Sequence, residues 1–167
     1  MNTVNVRKVE IGKGIPKICV PVVGITRDDI IDAACKAKET ADLVEWRADW
    51  YEDVLDFKKT EKMMEELRET LGDIPLLFTF RTLKEGGEKE IEKSVYVKLN
   101  EMAVKTGFAD LVDAEAFTGT DEVNTIVETA HLYGVKVIAS TLIFKKLRQK
   151  KKLYRGFALC RSVVRIL

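Results

Sequence analysis

IPLLFTFRTLKEGG, residues 74–87, is the stretch from which the rest of the chain is read. Ile74 to Phe80 is dominated by apolar residues, and Pro75 is tolerable only because it stands at the start, as in a buried strand. The run closes on Arg81, and the glycines of Lys84-Glu85-Gly86-Gly87 permit a tight loop directly after it. An ordinary strand-to-helix turn is the plainer reading of that loop. Upstream, Val54, Phe57, Met64, Leu67 and Leu71 mark one face of a helix that Gly72 ends, and DLVEWR at 42–47 is strand-like. Before it come a capping-box start at Thr26 to Asp29, with Ile30, Ala33, Ala34 and Ala37 at helical spacing, and a β-branched run, KICVPVVG, at 17–24. Downstream, the pattern predicts a helix from about Glu90 to Thr106 and a strand from Ala109 to Glu115. A helix carrying Val123, Ile126, Val127 and Ala130 follows, and then a strand, VKVIAS, at 135–140.

Strands separated by helices must pair in parallel through crossovers, which makes the class α/β. No glycine-rich phosphate loop follows the first strand, so a closed barrel is preferred to an open nucleotide-binding sheet. The 167 residues suffice for one compact domain. No stretch approaches the ~20 apolar residues that cross a bilayer, nor is there a signal-peptide core, so a cytoplasmic location is expected. Cys19, Cys35 and Cys160 are odd in number and widely spaced, which suggests neither disulfides nor a zinc site and leaves reduced, buried thiols as the expectation.

Charge divides the chain unevenly. Residues 141–167 hold nine of the 28 Lys and Arg and no acid, leaving 19 bases against 27 acids in residues 1–140. In a parallel barrel, polar groups at the carboxyl ends of strands converge on one mouth. Glu45 and Arg47 share a face near the end of the second strand, Arg81 closes the third, and Asp113 and Glu115 share a face at the end of the fourth. Each alone could be a solvated loop charge or half of a structural ion pair. Their recurrence at equivalent places points instead to a pocket for a small, anionic, hydroxylated ligand, since guanidinium forks match carboxylates.

EWRAD at 45–49, LLFTFR followed by EGG within 76–87, and FTG at 117–119 closely resemble type I 3-dehydroquinate dehydratases. The resemblance runs from about Val6 to Ser140. It implies a (β/α)8 TIM barrel, of which only about the first five β/α units are present, and the conversion of 3-dehydroquinate to 3-dehydroshikimate in the shikimate pathway. In that family a lysine forms a Schiff base with the substrate ketone, while a histidine moves the neighbouring proton. Neither metal nor dissociable cofactor is implied. Carried over, Glu45 orients and tunes the histidine. Glu45, Arg47 and Arg81 bind substrate polar groups, and Glu85 supports the arginine cluster. The resemblance also implies a homodimer for intact members, with no nucleic-acid or membrane partner. Pro21 stands where the family often has serine, which removes one substrate hydrogen bond.

The family continues after the fifth strand with His-Asp-Phe, where this sequence reads Thr141-Leu142-Ile143-Phe144. The imine lysine falls, by family spacing, beyond Leu167. His131, in a helical segment, is expected on the outer surface, and none of Lys145, Lys146, Lys150, Lys151 or Lys152 lies in the apolar context that lowers an amine pKa. Residues 1–146 therefore read as a partial barrel, truncated and inactive as an enzyme, with 147–167 as a basic tail. Removing one adenine from the lysine codons near Lys146 would convert the family's continuation into this tail, so a shifted reading frame is expected. The rival reading of the tail is an amphipathic segment for anionic membranes or nucleic acid. For the whole chain, the alternative to an enzyme is a non-catalytic carboxylate-binding or assembly fragment.

Overall fold

A computed structural model describes residues 3–145 and 159–166, and for 142–145 and 159–166 it describes the backbone alone. A hairpin of β1 (Val4–Val6) and β2 (Val9–Ile11) comes first. The main sheet then contains β3 (Cys19–Val22), β4 (Leu43–Arg47), β5 (Leu76–Thr79), β6 (Leu111–Glu115) and β7 (Lys136–Lys145) in sequence order, all parallel. Between them run α1 (Arg27–Ala37), α2 (Phe57–Leu71), α3 (Lys93–Lys105) and α4 (Thr120–Leu132). This is the expected α/β alternation, five strands with four intervening helices among the described residues. Among the described residues no helix is long and apolar enough to cross a membrane.

Local chemistry sets the helix limits. The Thr26 side chain accepts from the Asp29 N–H and the Asp29 carboxylate takes the Thr26 N–H, closing the capping box that starts α1. Asp56 accepts from the N–H groups of Lys58 and Lys59, so α2 starts at Phe57 and leaves Val54 in the preceding turn. Gly72, at φ 59°, ends α2 as expected. Helix α3 starts later than its periodicity suggests, because the backbone is still extended at Glu92.

Two departures concern the ends of the sheet. The sequence pattern predicts a fifth strand that stops at Ser140. Instead it runs to Lys145 and carries β8 (Leu159–Ile166) in antiparallel register from Ile138↔Ile166 to Lys145↔Leu159. Val163, Val164 and Ile166 favour a strand, and an unpaired edge recruits one. The remainder of the expected tail lies outside the described residues. Cys19 and Cys35 are free thiols but exposed, not buried as expected, since Cys19 sits on the outermost strand and Cys35 on the solvent side of α1.

Alternation along each strand separates two cores. Val44, Trp46, Phe78, Val112 and Val137 face the helices and join Ile30, Met64, Leu67 and Leu99. On the concave side, Leu43, Leu77 and Leu111 meet Val6, with Val4, Ile11 and Ile138 around them. The hairpin thus closes the amino-terminal end of the strands. Asp110 secures it: one carboxylate oxygen takes Arg7 Nε at 2.6 Å, and the other takes Arg68 NH1 and the Leu76 N–H, each at 2.9 Å. Asp110→Asn should lower unfolding stability by about 2 kcal/mol, because two guanidinium groups lose their charged acceptor. Urea titration reads this as a lowered midpoint.

Candidate functional site

At the opposite ends of the strands the concave side changes from apolar to charged. Above Leu43 stand Glu45 and Arg47; above Leu77 stand Thr79 and then Arg81; above Leu111 stand Asp113 and Glu115; and Ser140 lies in register with Glu115. Glu45, Arg47, Arg81 and Glu85 all lie at this rim, and Arg81 is its hub.

Arg81 is 6% exposed. Its NH1 donates to Ser140 Oγ at 3.0 Å and to Glu85 Oε2 and Glu115 Oε1 at 3.3 Å each, and its NH2 donates to Asp113 Oδ2. Ser140 Oγ donates to the other Asp113 oxygen at 2.5 Å. Glu115 also takes the backbone N–H and the hydroxyl of Thr82, both at 2.8 Å. Glu85 reaches β7, accepting from Thr141 Oγ1 at 3.2 Å. From α3, the buried Tyr96 hydroxyl donates to the Asp113 carbonyl at 3.2 Å and accepts the Glu115 N–H at 3.0 Å, fixing β6 against the helix.

Arg47 forms a two-point pair with Asp49, Nε and NH2 each 2.8 Å from a carboxylate oxygen. Asp49 is fully buried and also accepts the N–H groups of Arg81 at 3.4 Å and Glu88 at 3.1 Å. Lys89 Nζ donates to the carbonyls of Asp49 at 2.6 Å and Tyr51 at 2.8 Å. Sequence reading missed Asp49, Lys89, Thr82, Ser140 and Tyr96. Asp49 carried a usable signal, lying two residues after Arg47 in EWRAD; Tyr96, on an outer helix, carried none.

The electrostatics follow from the burial. Burial pulls Arg81 down, but Asp113 and Glu115 outweigh it and hold its pKa above the ordinary value. Burial pushes Asp113 up to about 6 from 3.8, against Arg81 and Ser140, with Glu45 and Glu115 adding to the rise. Burial likewise raises Glu115. A carboxyl whose folded pKa lies above its unfolded one weakens the fold as pH rises through that interval, and the penalty is absent below it. Asp113→Asn should therefore remove a loss of stability that the parent shows as pH rises from about 4 to about 6. Urea midpoints across that range test this, and parallel curves would refute it.

His131 is exposed on α4, outside the concave side, as expected.

A model of type I 3-dehydroquinase matches residues 18–163. The chain belongs to this family. It is 50% identical over 151 residues to a 3-dehydroquinate dehydratase of Clostridium botulinum, covering 90% of this chain and 59% of that protein. It is 43% identical over 151 residues to one from Clostridioides difficile, again covering 59% of it. Among solved structures, a type I 3-dehydroquinate dehydratase of Clostridium difficile with covalently modified comenic acid superposes with a TM-score of 0.80 at 44% identity, over 81% of this chain and 54% of that one. The enzyme of Enterococcus faecalis gives 0.76 at 43% identity, over 80% and 56%. The chain thus spans about three fifths of the curated type I 3-dehydroquinases it matches, and its five parallel strands are the corresponding part of their TIM barrel.

Proposed function

We propose that this chain carries one half of a 3-dehydroquinate dehydratase site, the half that reads the hydroxyl groups of 3-dehydroquinate, and that by itself it does not turn the substrate over. The observation that carries this reading is Arg81, buried among Asp113, Glu115, Glu85 and Ser140 beside the Arg47–Asp49 pair. Both guanidinium groups already face carboxylates, so a ligand carboxylate would have to displace an internal partner. Hydroxyls can join the network as both donors and acceptors. Glu45 and Arg47, both only half-buried, are the groups of the cluster that a ligand reaches first. Glu45, Arg47, Arg81 and Glu85 are accordingly the proposed substrate-binding residues, with Glu45 the carboxylate that would orient the family's histidine and Glu85 supporting the arginine cluster.

Schiff-base dehydration needs an amine to convert the ketone into an electron sink and a base for the adjacent proton. In the 167 residues the sole imidazole is His131, on the outer face, and Thr141-Leu142-Ile143-Phe144 stands where the family has His-Asp-Phe. Treatment with 3-dehydroquinate and borohydride should therefore leave the mass of the protein unchanged, whereas calorimetry should detect binding. A trapped adduct would overturn the inactive reading, and absence of both signals would overturn the binding one. The reading includes a cytoplasmic location, no metal or cofactor, no nucleic-acid or membrane partner, and the homodimer that the resemblance implies for intact members.

A further inference from the structure

Asp49 sits just beyond β4, in a short 3₁₀ turn (Ala48–Trp50), and is fully buried. Each of its carboxylate oxygens accepts one guanidinium N–H and one loop amide. Oδ1 takes Arg47 Nε at 2.8 Å and the Arg81 N–H at 3.4 Å, while Oδ2 takes Arg47 NH2 at 2.8 Å and the Glu88 N–H at 3.1 Å. A carboxylate can serve four donors in this way because both oxygens carry lone pairs, whereas an amide of the same shape has a single oxygen.

The loop that supplies these amides is closed on itself. The Leu83 N–H bonds to the Lys89 carbonyl and the Gly87 N–H to the Thr82 carbonyl, each at 2.9 Å. Gly87 lies so near Arg81 that a Cβ there would collide with the Arg81 carbonyl oxygen. Lys89 Nζ ties the far end of the loop to the carbonyls of Asp49 and Tyr51. One side chain thus joins the end of β4 to a ring of backbone that carries Arg81 and Glu85.

The consequence falls on Arg47. Of the five N–H groups of a guanidinium, two go to Asp49 and three remain for a ligand. Asp49 also holds the Arg47 pKa above its ordinary value in spite of burial. A ligand therefore meets a guanidinium that is already aimed and already paired. Ordering it in advance lowers the cost of binding, and the pairing favours hydroxyl oxygens over a competing carboxylate.

We propose that Asp49 is the positioning residue of this site, fixing the Arg47 guanidinium against the Arg81 loop so that the two arginines read hydroxyl groups of one ligand together. The proposal rests on the dehydratase reading for the identity of that ligand, 3-dehydroquinate, but not for whether Asp49 holds Arg47.

The test is hydrogen exchange of arginine side chains and backbone amides in the full chain, followed by heteronuclear NMR without ligand, and then calorimetry with 3-dehydroquinate. The Arg47 Nε–H, assigned by its loss in Arg47→Lys, should exchange at least about tenfold more slowly than that of free arginine. Asp49→Asn should remove most of this protection and speed the exchange of the Glu88 amide. The Leu76 amide, held by Asp110 at the other end of the strands, should keep its rate, which a general loosening of the fold would not allow. Arg47→Lys keeps the charge without the fork, and it and Asp49→Asn should each weaken 3-dehydroquinate binding about tenfold. The double variant should bind no more weakly than either, because the two residues act as one unit. An unprotected Arg47 Nε–H in the parent, or losses that multiply in the double variant, would sink the proposal. Should Asp49→Asn fail to fold, Arg47→Lys still decides, since a lysine that binds as tightly as arginine rules out a positioned guanidinium. A protected Arg47 in a chain that binds no 3-dehydroquinate supports the positioning and counts against the dehydratase reading.

Discussion

Arg81→Met is expected to lower unfolding stability by about 3–5 kcal/mol at neutral pH, a cost typical of breaking a buried ion pair on one side. The mechanism is the isolation of its partners. Asp113 and Glu115 are 3% exposed and Glu85 8%, and each would keep a charge with the guanidinium gone. Asp113 and Glu115, whose pKa values burial already raises, Asp113 to about 6 with Arg81 in place, can escape by taking up protons. The deficit should therefore shrink at about pH 5. Urea unfolding of parent and variant at the two pH values decides the matter. A deficit equal at both would mean that lost packing, and not stranded charge, is responsible.

The second large effect concerns Trp46, on the opposite face of the strand that bears Glu45 and Arg47. It is fully buried, edge-on to Phe78 at 5.7 Å between ring centres and tilted to Tyr51 at 6.1 Å. Trp46→Ala should cost about 3–5 kcal/mol through the lost contacts and the cavity left behind. Trp46→Phe should cost no more than about 1 kcal/mol, because the indole N–H has no hydrogen-bond partner among the described residues and its removal relieves a buried polar group. Denaturant midpoints separate the two. A phenylalanine variant as unstable as the alanine one would show that the shape of the indole is what matters.

The contrast between Glu45 and Trp46 explains how much of this molecule could be read in advance. The strands were legible because β-branched or aromatic residues run together in KICVPVVG and IPLLFTF, and the helices because caps and glycines punctuate the apolar spacing. The rim was legible in part: Glu45, Arg47, Arg81, Asp113 and Glu115 stand at strand ends and meet on one side. What could not be read is what depends on distant partners. The hairpin VNVRKVEI is short and charged, and its turn places Arg7 at φ 49° without a glycine to announce it. Its burial comes from Leu43, Leu77 and Leu111, far along the chain. Lys89 and Ser140 look ordinary locally and acquire partners only when β4, β6 and β7 are brought side by side.

The two-residue alternation of β4 and β6 also limits how such sequences can vary. Losing or gaining one residue ahead of Glu45 within β4 would rotate Trp46 onto the concave, charged side and press Glu45 and Arg47 against the helices. Insertions and deletions are tolerable in the connecting loops, where they leave the phase of each strand intact, and ruinous inside the strands themselves.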